Sequence, residues 1–588
     1  MLEFNPLNKK HKSILGGIKQ FSAVRFFVKS NIPVTMRLYS DNDHIDRLMK
    51  PTKDGYYLDY ELCKGLYFYD FLCNGVIYGK GELLDAVPNG PAYQLTVYPD
   101  DYQTPDWIKG GIIYQIFPDR FCKVGYFSVG KGKVKRDDWG GNPTYRSPDG
   151  KVRNNEFFGG NFKGIQSKLD YVKKLGVTAV YLNPICASYS SHRYDTGDYL
   201  MPDSVLGSID DFKNLTQEGK QKGIRFIFDG VFNHTGAGSR YFNKYGDYEA
   251  IGAFNSKKSE YYDWYTFFEH PESYASWWGF KTLPSIRKNS KSFQRFVTEE
   301  VIDYWTNAGI CGMRLDVVDE LSDSFVRKIR TALKAKGDQL LIGEVWEDAT
   351  NKMAYGERRK YFTDGELDSV MNYPLRDAII DFVLSGRTWL LRNTVCEQIN
   401  NYPKEALDCL MNVLSTHDST RIITLLGRRK TITDKDLMGR ALLDESEYQI
   451  GKCREKCASV LQFFLYGVPS VYYGDEEGLE GDLDPYNRRC FNWESPDKEL
   501  LEHYKKIAKI RRGNKVFEKG ETQIVYAKGG TFMFKRGKGK GQIYVAVNCS
   551  NHVKECFFNK NMKDLYSNTQ GKKFDLQPLG FGIYKEKN

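Results

Sequence analysis

The chain has 588 residues, 85 basic against 75 acidic side chains, a net charge of +10 and 14% aromatic residues. This length exceeds what one hydrophobic core fills and predicts about three or four domains. The densest basic run, 535–540, alternates Gly with Lys and Arg between two strand-like segments, which is typical of an exposed hairpin turn. We therefore expect no nucleic-acid partner.

Neither a membrane span nor an export signal is predicted. No window holds 18 consecutive apolar residues, and residues 1–17 contain no apolar leader segment. The twelve Cys are scattered without zinc-type pairs; the closest of them, Cys453 and Cys457, have the i, i+4 spacing of a helix. Free structural thiols favour a reducing compartment, so we predict a cytoplasmic protein.

Residues 1–105 predict an N-terminal antiparallel β-sandwich. Short segments such as AVRFFVK, VTMRLYS and YQLTVYP alternate apolar and polar residues and are separated by Gly, Asn or Asp. The polar stretch DDYQTPDW, broken by Pro105, then reads as a linker.

Residues 106–515 predict a (β/α)₈ barrel of the α/β class. Eight apolar strands alternate with amphipathic helical runs: GIIYQIF, VTAVYLN, IRFIFDG, GMRLDVV, LLIGEVW, LDSVMNY, LMNVLST and VPSVYYG. The long segment 235–290, rich in Tyr, Trp, Ser and Lys, is predicted as a small inserted subdomain after strand 3. Strand patterns return in residues 516–588 and predict a C-terminal β-sandwich.

Four strand-like segments finish in charged clusters: FIFDGVFNH (226–234), GMRLDVVDE (312–320), LIGEVWED (341–348) and LMNVLSTHD (410–418). Parallel barrel strands end at one face, where reaction sites form. The clusters contribute the carboxylates Asp316, Glu344 and Asp418, and their spacing places them on strands 4, 5 and 7. An acidic trio with attendant His and Arg indicates glycosidic bond chemistry, which needs one protonated and one ionised carboxyl.

Each carboxylate taken alone is explained as well by a helix cap or a salt bridge. The trio together, with Arg314 and His417 beside it, favours a reaction site, and three of the eight His fall in these clusters. A non-catalytic glucan-binding protein stays a remote alternative. Trp277 and Trp278, in the inserted segment, are left open between core packing and sugar stacking.

On these segments, in this order, the chain resembles the α-amylase family (glycoside hydrolase family 13). Within it, the chain is similar to the neopullulanase, cyclomaltodextrinase and maltogenic amylase branch, which carries an N-terminal sandwich. The segments GDYLMPDSVLGSIDDF and GVPSVYYGDEEGLEGDLDPYNRR add agreement, and GEVWEDATNKMAYGERRKYF is similar to amylopullulanase sequences. The resemblance covers nearly the whole chain.

The resemblance implies a role for each site residue. Asp316 would be the nucleophile, kept ionised by Arg314, and Glu344 the general acid and base, with Val345 and Trp346 as an apolar flank that helps it hold a proton. Asp418 would stabilise the transition state. The substrate-binding residues would be Arg314, His192, Tyr194, Asp229, Asn233, His234, Trp346, His417, Asp484 and Arg488.

The implied activity is retaining hydrolysis of α-1,4 bonds in maltooligosaccharides, cyclodextrins, pullulan or starch fragments, with α-1,6 cleavage and transglycosylation left open. An oligosaccharide-specific α-glucosidase and a pullulanase are the alternatives. The N-terminal sandwich would either bind starch or form a homodimer that narrows the cleft, and the second is favoured.

Three departures from the branch pattern bear on these expectations. The loop after strand 1 reads CKVGYFSVGKGK without a carboxylate, and a Gly-Gly-Asp of the calcium site reads Gly159-Gly160-Asn161, so we expect no calcium there and no other cofactor. The segment that is used to sort substrate specificities within the branch is typically similar to MPKLN, and here it reads LPSIR (283–287); we call it the specificity segment. Val318 and Asp319 replace the usual Ala and Asn beside the nucleophile, near the acceptor subsites.

Overall fold

The computed structural model describes residues 2–41 and 43–587. In its N-terminal part, buried and less buried residues alternate along the strands. In Val34–Tyr39, for example, every second residue is buried. Seven strands form one sheet and three form another, with their own hydrophobic core, so the predicted sandwich is confirmed. The strands are Ile18–Lys19, Val24–Val28, Val34–Tyr39, His44–Leu48, Lys50–Thr52, Gly55–Tyr60, Gly65–Cys73, Val76–Lys80, Ala86–Pro88 and Tyr93–Tyr98; Glu82–Leu84 is a 3₁₀ turn.

An eight-stranded parallel sheet follows and confirms the predicted barrel. Neighbouring strands pair in chain order, and the first pairs with the last. Strands 6 and 7 meet through a single parallel bridge between Met371 and Met411, which nearly closes the ring. The strands are β1 (Ile113–Ile116), β2 (Ala179–Leu182), β3 (Arg225–Gly230), β4 (Gly312–Leu315), β5 (Leu340–Gly343), β6 (Ser369–Val370), β7 (Met411–Val413) and β8 (Val468–Tyr472).

The two-residue period of each strand decides which side chains face the barrel interior. In β3, Phe226 and Phe228 pack outward in the large core against the helices, whereas Ile227 belongs to the interior cluster. Asp229 shares the parity of Ile227 and faces inward, and it pairs in register with Arg314 of β4. The chain thus aims a carboxylate and a guanidinium into the same layer of the barrel.

Amphipathic helices cover the barrel. Asp323–Lys334 buries Phe325, Val326, Ile329 and Leu333 on one face. The helices are Pro118–Phe121, Phe162–Ser167, Leu169–Lys174, Ile209–Lys222, Lys291–Phe296, Ile302–Asn307, Asp323–Lys334, Tyr373–Ser385, Trp389–Asn401, Lys404–Leu407, Ile422–Gly427, Lys435–Met438, Glu445–Phe464, Lys498–Arg512 and Val516–Lys519, with a π-helical turn at Val297–Val301. Across residues 2–41 and 43–587, no helix combines the length and apolar character that a bilayer crossing requires.

The segment 235–290 leaves the barrel after β3 and returns to its mouth. It contains the two-stranded sheet Phe267–Glu269 and Ser273–Tyr274, and its end is bridged to the β3 loop by the pair His234 and Ser285. The 3₁₀ turns Tyr262–Trp264 and Trp277–Gly279 also lie within it. The short elements outside this segment are the strands Val134–Lys135, Glu156–Phe157, Cys186–Ser188, Thr196–Pro202, Met353–Ala354 and Glu357–Arg358, and the 3₁₀ turns Val318–Glu320, Asp475–Glu477, Tyr486–Arg488 and Gly539–Gly541.

The C-terminal strands pair into one six-stranded ladder, so the predicted C-terminal β-domain is confirmed, while the sandwich arrangement for residues 516–588 stays a prediction. The long strand Lys554–Asp564 pairs on both sides, so its ladder joins all six strands. Phe532, Phe534 and Val545 of one face pack with the barrel's outer core, and a separate cluster covers the other face. The strands are Thr522–Lys528, Thr531–Arg536, Ile543–Asn548, Lys554–Asp564, Gln570–Leu576 and Gly580–Glu586.

Candidate active site

Arg314 stands at the centre of the carboxylate cluster at the C-terminal ends of β3, β4 and β5. Its Nη1 lies 2.8 Å from Asp229 Oδ1 and 2.9 Å from Asp316 Oδ1, and its Nη2 lies 2.9 Å from Glu344 Oε2. The guanidinium is fully buried. A planar fork of donors fits several carboxylates at once, so Arg314 fixes the relative positions of all three.

The backbone after Asp316 links the two predicted reacting carboxyls. Val317 has φ +37° and ψ +54°, a left-handed conformation that a β-branched residue rarely adopts. This conformation aims its N–H at Glu344, whose Oε2 accepts the hydrogen bond at 2.8 Å. Strain of this kind persists where the surrounding structure holds it, and it recurs at functional sites.

Asp418, at the end of the β7 loop, is the most open of the three predicted catalytic carboxylates. Its side chain is 36% exposed, against 8% for Asp316 and 6% for Glu344. His417 Nε2 lies 2.9 Å from its Oδ2, and Arg488 donates to its Oδ1 at 3.3 Å. The structure therefore brings the predicted trio and its His and Arg neighbours to one mouth.

Burial and neighbouring charges shift the pKa values of two of these carboxyls in opposite directions. Burial, Glu344 and Asp229 raise the pKa of Asp316 well above its usual value, although Arg314 opposes them. Although burial acts against it, contact with His417 and Arg488 lowers the pKa of Asp418 below its usual value. Arg314 thus acts in the predicted direction on Asp316, but one cation serves three buried carboxylates, so burial and the neighbouring carboxylates outweigh it.

Tyr194 connects the β2, β3 and β7 sides of the mouth. Its hydroxyl donates to Asp229 Oδ2 at 2.8 Å, and His417 Nε2 donates to that hydroxyl oxygen at 2.5 Å. The Tyr194 and His417 rings stack at 5.1 Å. Tyr194 thus holds the Asp229 carboxylate and the His417 ring in fixed orientations.

Two interior residues that sequence reasoning missed complete this network. Tyr181 donates to Asp229 Oδ2 at 2.6 Å, and Gln115 Nε2 lies 3.0 Å from His417 Nδ1. Gln115 of β1 and Tyr181 of β2 are paired with each other in the barrel sheet. A polar residue at an inward parity position of an apolar strand is the signal that finds them.

The two other histidines have defined tautomers. The Tyr194 backbone N–H donates to His192 Nδ1 at 3.1 Å, which leaves the His192 proton on Nε2. His234 Nε2 lies 3.1 Å from the Tyr194 carbonyl oxygen, and burial lowers the pKa of His234 to about 4. His192 keeps a donor free of its loop contacts, whereas His234 uses Nε2 to hold the Tyr194 backbone.

The remaining predicted residues lie around this centre. Asn233 Nδ2 donates to His234 Nδ1 at 3.3 Å and is buried. Trp346 is 48% exposed and stacks on Tyr373 at 3.8 Å. Asp484 lies further out, 3.4 Å from Lys435.

The two Trp residues of the inserted segment have different surroundings. Trp277 stacks on the His234 ring at 4.8 Å, while Trp278 is 79% exposed and has φ +49°. Trp277 therefore packs against a predicted site residue, whereas Trp278 is exposed on the inserted segment.

The loop after β1 does not fit a calcium ion. Asp119 is paired with Arg120 at 2.7 Å. Asn161 Oδ1 accepts the Gly164 N–H at 2.8 Å as a helix N-cap, and its Nδ2 donates to Val124 O at 2.9 Å. Among the described residues no group of three His, Cys, Asp or Glu side chains is arranged to hold a metal ion. No chemical step is assigned to a metal.

A nearly closed barrel with carboxylates converging at the strand ends defines a (β/α)₈-barrel protein of the glycosidase class. Residues 115–495 match the family model "Alpha amylase, catalytic domain". The chain belongs to the α-amylase family.

The relatives agree with this family. The chain is 34% identical to a cyclomaltodextrinase of Thermoanaerobacter pseudethanolicus, over 84% of this chain and 81% of that protein. It is 36% identical to an amylopullulanase of Thermoanaerobacter thermohydrosulfuricus, over 78% of this chain and 33% of that protein. The chain spans only 26–38% of the length of three amylopullulanases that it matches.

A solved structure supports the fold over the full length. The type III pullulan hydrolase from Thermococcus kodakarensis superposes with a TM-score of 0.72, covering 100% of each chain at 24% sequence identity. At that identity the likeness establishes the three-part architecture alone.

Proposed function

We propose that this protein is a retaining α-glucan hydrolase that cleaves α-1,4-glucosidic bonds in maltooligosaccharides, cyclodextrins and pullulan or starch fragments. One observation carries the proposal: Arg314 holds Asp316 and Glu344, from adjacent strands, at 2.9 Å each from one guanidinium. Glycoside hydrolysis requires a pair of carboxyls at one bond, one protonated and one ionised. The relatives called cyclomaltodextrinase, neopullulanase and maltogenic α-amylase favour this substrate class.

In the first step, Asp316 attacks the anomeric carbon while Glu344 gives its proton to the glycosidic oxygen. The bond from the anomeric carbon to that oxygen breaks, and a glucosyl ester on Asp316 forms. This step requires a proton on Glu344 and an ionised Asp316. Arg314 contacts both carboxyls, at 2.9 Å each, and is the cation that favours the ionised form of the nucleophile.

In the second step, Glu344 accepts a proton from water, the resulting hydroxide attacks the anomeric carbon, and the ester bond to Asp316 breaks. The product keeps the anomeric configuration of the substrate. The Val317 N–H, 2.8 Å from Glu344 Oε2, stabilises the ionised form of Glu344 that this step needs.

In the transition state of each step the sugar ring carries partial positive charge. Asp418, whose carboxylate is exposed to the mouth and whose pKa is lowered by His417 and Arg488, supplies a permanent negative charge for that state. His192 Nε2–H is the matching donor for a sugar hydroxyl, since its Nδ1 accepts from the Tyr194 backbone.

The product profile from pullulan and β-cyclodextrin tests the proposal, with Asp316→Asn run in parallel. Panose from pullulan and maltose from β-cyclodextrin, both abolished by the substitution, are the expected result. Maltotriose from pullulan would move the assignment to a pullulanase. Glucose released only from short linear oligosaccharides would favour the α-glucosidase, and inactivity on every α-glucan would leave a glucan-binding protein.

We also infer a reducing compartment, the cytoplasm, where starch-derived oligosaccharides are degraded. All twelve Cys are free thiols, and a chain with so many is suited to a cell interior. A homodimer through the N-terminal sandwich is part of the same proposal, supported by Phe21 and Leu48, which are 63% and 71% exposed. Subcellular fractionation tests the proposed compartment, and sedimentation velocity tests the proposed homodimer.

A further inference from the structure

The loop after β5 contains a small β-hairpin that begins at Met353, nine residues beyond Glu344. Strands Met353–Ala354 and Glu357–Arg358 pair through a two-residue turn at Tyr355 and Gly356. Both turn residues have positive φ, +54° and +78°. Such a turn favours Asn-Gly, because a bulky side chain is strained at the first position. A Tyr held there at a conformational cost indicates that its ring does something an Asn cannot.

The Tyr355 side chain reaches two other loops of the mouth. Its hydroxyl donates to Glu320 Oε1, and Lys288 Nζ lies 4.1 Å from its ring centroid. Lys288 Nζ also lies 3.6 Å from Glu320 Oε2, so the three groups contact one another. We call this set, Lys288, Glu320 and Tyr355, the rim clasp.

Salt bridges and hydrogen bonds fix the base of the hairpin. Arg358 makes a two-pronged contact with Asp41 of the N-terminal sandwich, at 2.8 and 2.9 Å. Asp319 accepts from Tyr361 at 2.6 Å and lies 3.2 Å from Lys352 Nζ. Asp319, one of the departures from the branch pattern, is therefore engaged by the hairpin flanks.

The clasp joins loops that each follow a site residue. Glu320 ends the 3₁₀ turn Val318–Glu320, four residues after Asp316. Lys288 follows the specificity segment 283–287, in which Ile286 N donates to the Asn233 carbonyl at 2.9 Å. The contact thus ties the loops after β3, β4 and β5 together at the mouth, next to the strands that carry Asp316 and Glu344.

We propose that the rim clasp is a specificity determinant that closes the leaving-group side of the cleft to long glucan chains. This inference rests on the proposed hydrolase function and deepens it by naming the substrate size class. A polymer that extends past the leaving-group sites must displace Tyr355, whereas a short oligosaccharide ends before the clasp. A tenfold discrimination corresponds to about 1.4 kcal/mol, which a cation–π contact and one charged hydrogen bond supply.

The test compares kcat/KM for amylose with kcat/KM for maltotriose in the full chain. Tyr355→Asn puts the favoured residue into the turn while removing the ring, so the hairpin is expected to persist with an equal or higher melting temperature. The amylose-to-maltotriose ratio is expected to rise about tenfold, with maltotriose turnover within twofold of wild type. Lys288→Gln, which breaks the clasp from the opposite loop, should raise the ratio in the same direction.

Two variants serve as controls. Tyr355→Phe keeps the ring over Lys288 and loses only the hydroxyl contact with Glu320, so a smaller rise is expected. Tyr526→Asn removes a ring that is 50% exposed on the C-terminal sheet and should leave the ratio unchanged.

An unchanged ratio in both Tyr355→Asn and Lys288→Gln overturns the clasp, as does a parallel loss on both substrates. In either case an active wild-type enzyme leaves the hydrolase assignment standing. Wild-type inactivity on maltotriose and amylose alike would overturn the hydrolase assignment first and the clasp with it.

Discussion

Replacing Arg314 tests the electrostatic centre of the site most directly. Arg314→Met keeps a long apolar side chain and removes the only cation that contacts Asp229, Asp316 and Glu344 among the described residues. Three buried carboxylates then face one another without a counter-charge. Losing one partner of a buried ion pair costs about 3–5 kcal/mol.

If that cost falls on the reaction, kcat/KM on maltotriose should drop by about 10²- to 10⁴-fold, at about 1.36 kcal/mol per factor of ten. The sign of the pH effect also follows. Arg314 opposes burial and the neighbouring carboxylates that raise the pKa of Asp316, so its removal raises that pKa further. The nucleophile must be ionised, and the acid limb of the pH profile should therefore move to higher pH.

The assay is the pH dependence of kcat/KM for wild type, Arg314→Met and Arg314→Lys, with circular dichroism as the check on folding. Arg314→Lys keeps the charge without the fork and should fall between the other two. The position of the acid limb does not depend on the fraction of folded enzyme. An Arg314→Met enzyme with activity within tenfold of wild type and an unshifted acid limb would refute the reasoning.

Three further outcomes are expected. Tyr194→Phe keeps the ring but removes the hydroxyl between Asp229 and His417, so kcat/KM should fall about 5- to 150-fold, at the ~1–3 kcal/mol cost of unpaired buried groups; equal steady-state rates would contradict this. Burial and then Glu476 raise the pKa of Glu477 to about 9, so the stability that its protonated form contributes is lost as pH rises from about 4.5 to 9, by ~1.4 kcal/mol per unit. Glu477→Gln, which imitates the neutral form, should gain melting temperature over wild type as pH is raised from 6 to 9, and a constant difference would count against it. Incubation with EDTA should change neither melting temperature nor activity, and a loss restored by calcium would overturn the reading of the Asn161 loop.

The class of fold was predictable because it depends on local alternation. Period-two burial in segments such as Val34–Tyr39, and apolar strands between amphipathic helices, are written residue by residue along the chain. Whether strands such as Lys554–Asp564 close one sheet or two depends on pairing partners that lie elsewhere in the chain.

The candidate site was also largely visible, since polar residues at the ends of parallel strands gather at one face. Parity along β3 and β4 and their register fix Asp229 beside Arg314. The sequence could not supply the members of the network that lie within apolar strands. Gln115 meets His417 across 302 positions, and only barrel closure makes them neighbours.

The chemical identity of the candidate site residues and the strands that carry them were thus determined by the sequence alone, because both follow from short-range patterns. Charge state and substrate access were decided by the tertiary structure. The pKa of Asp316 depends on how many carboxylates share Arg314, and the rim clasp depends on Lys288, Glu320 and Tyr355 meeting from three loops. Electrostatic and steric effects act through distances in space, and those distances exist only once the barrel has folded.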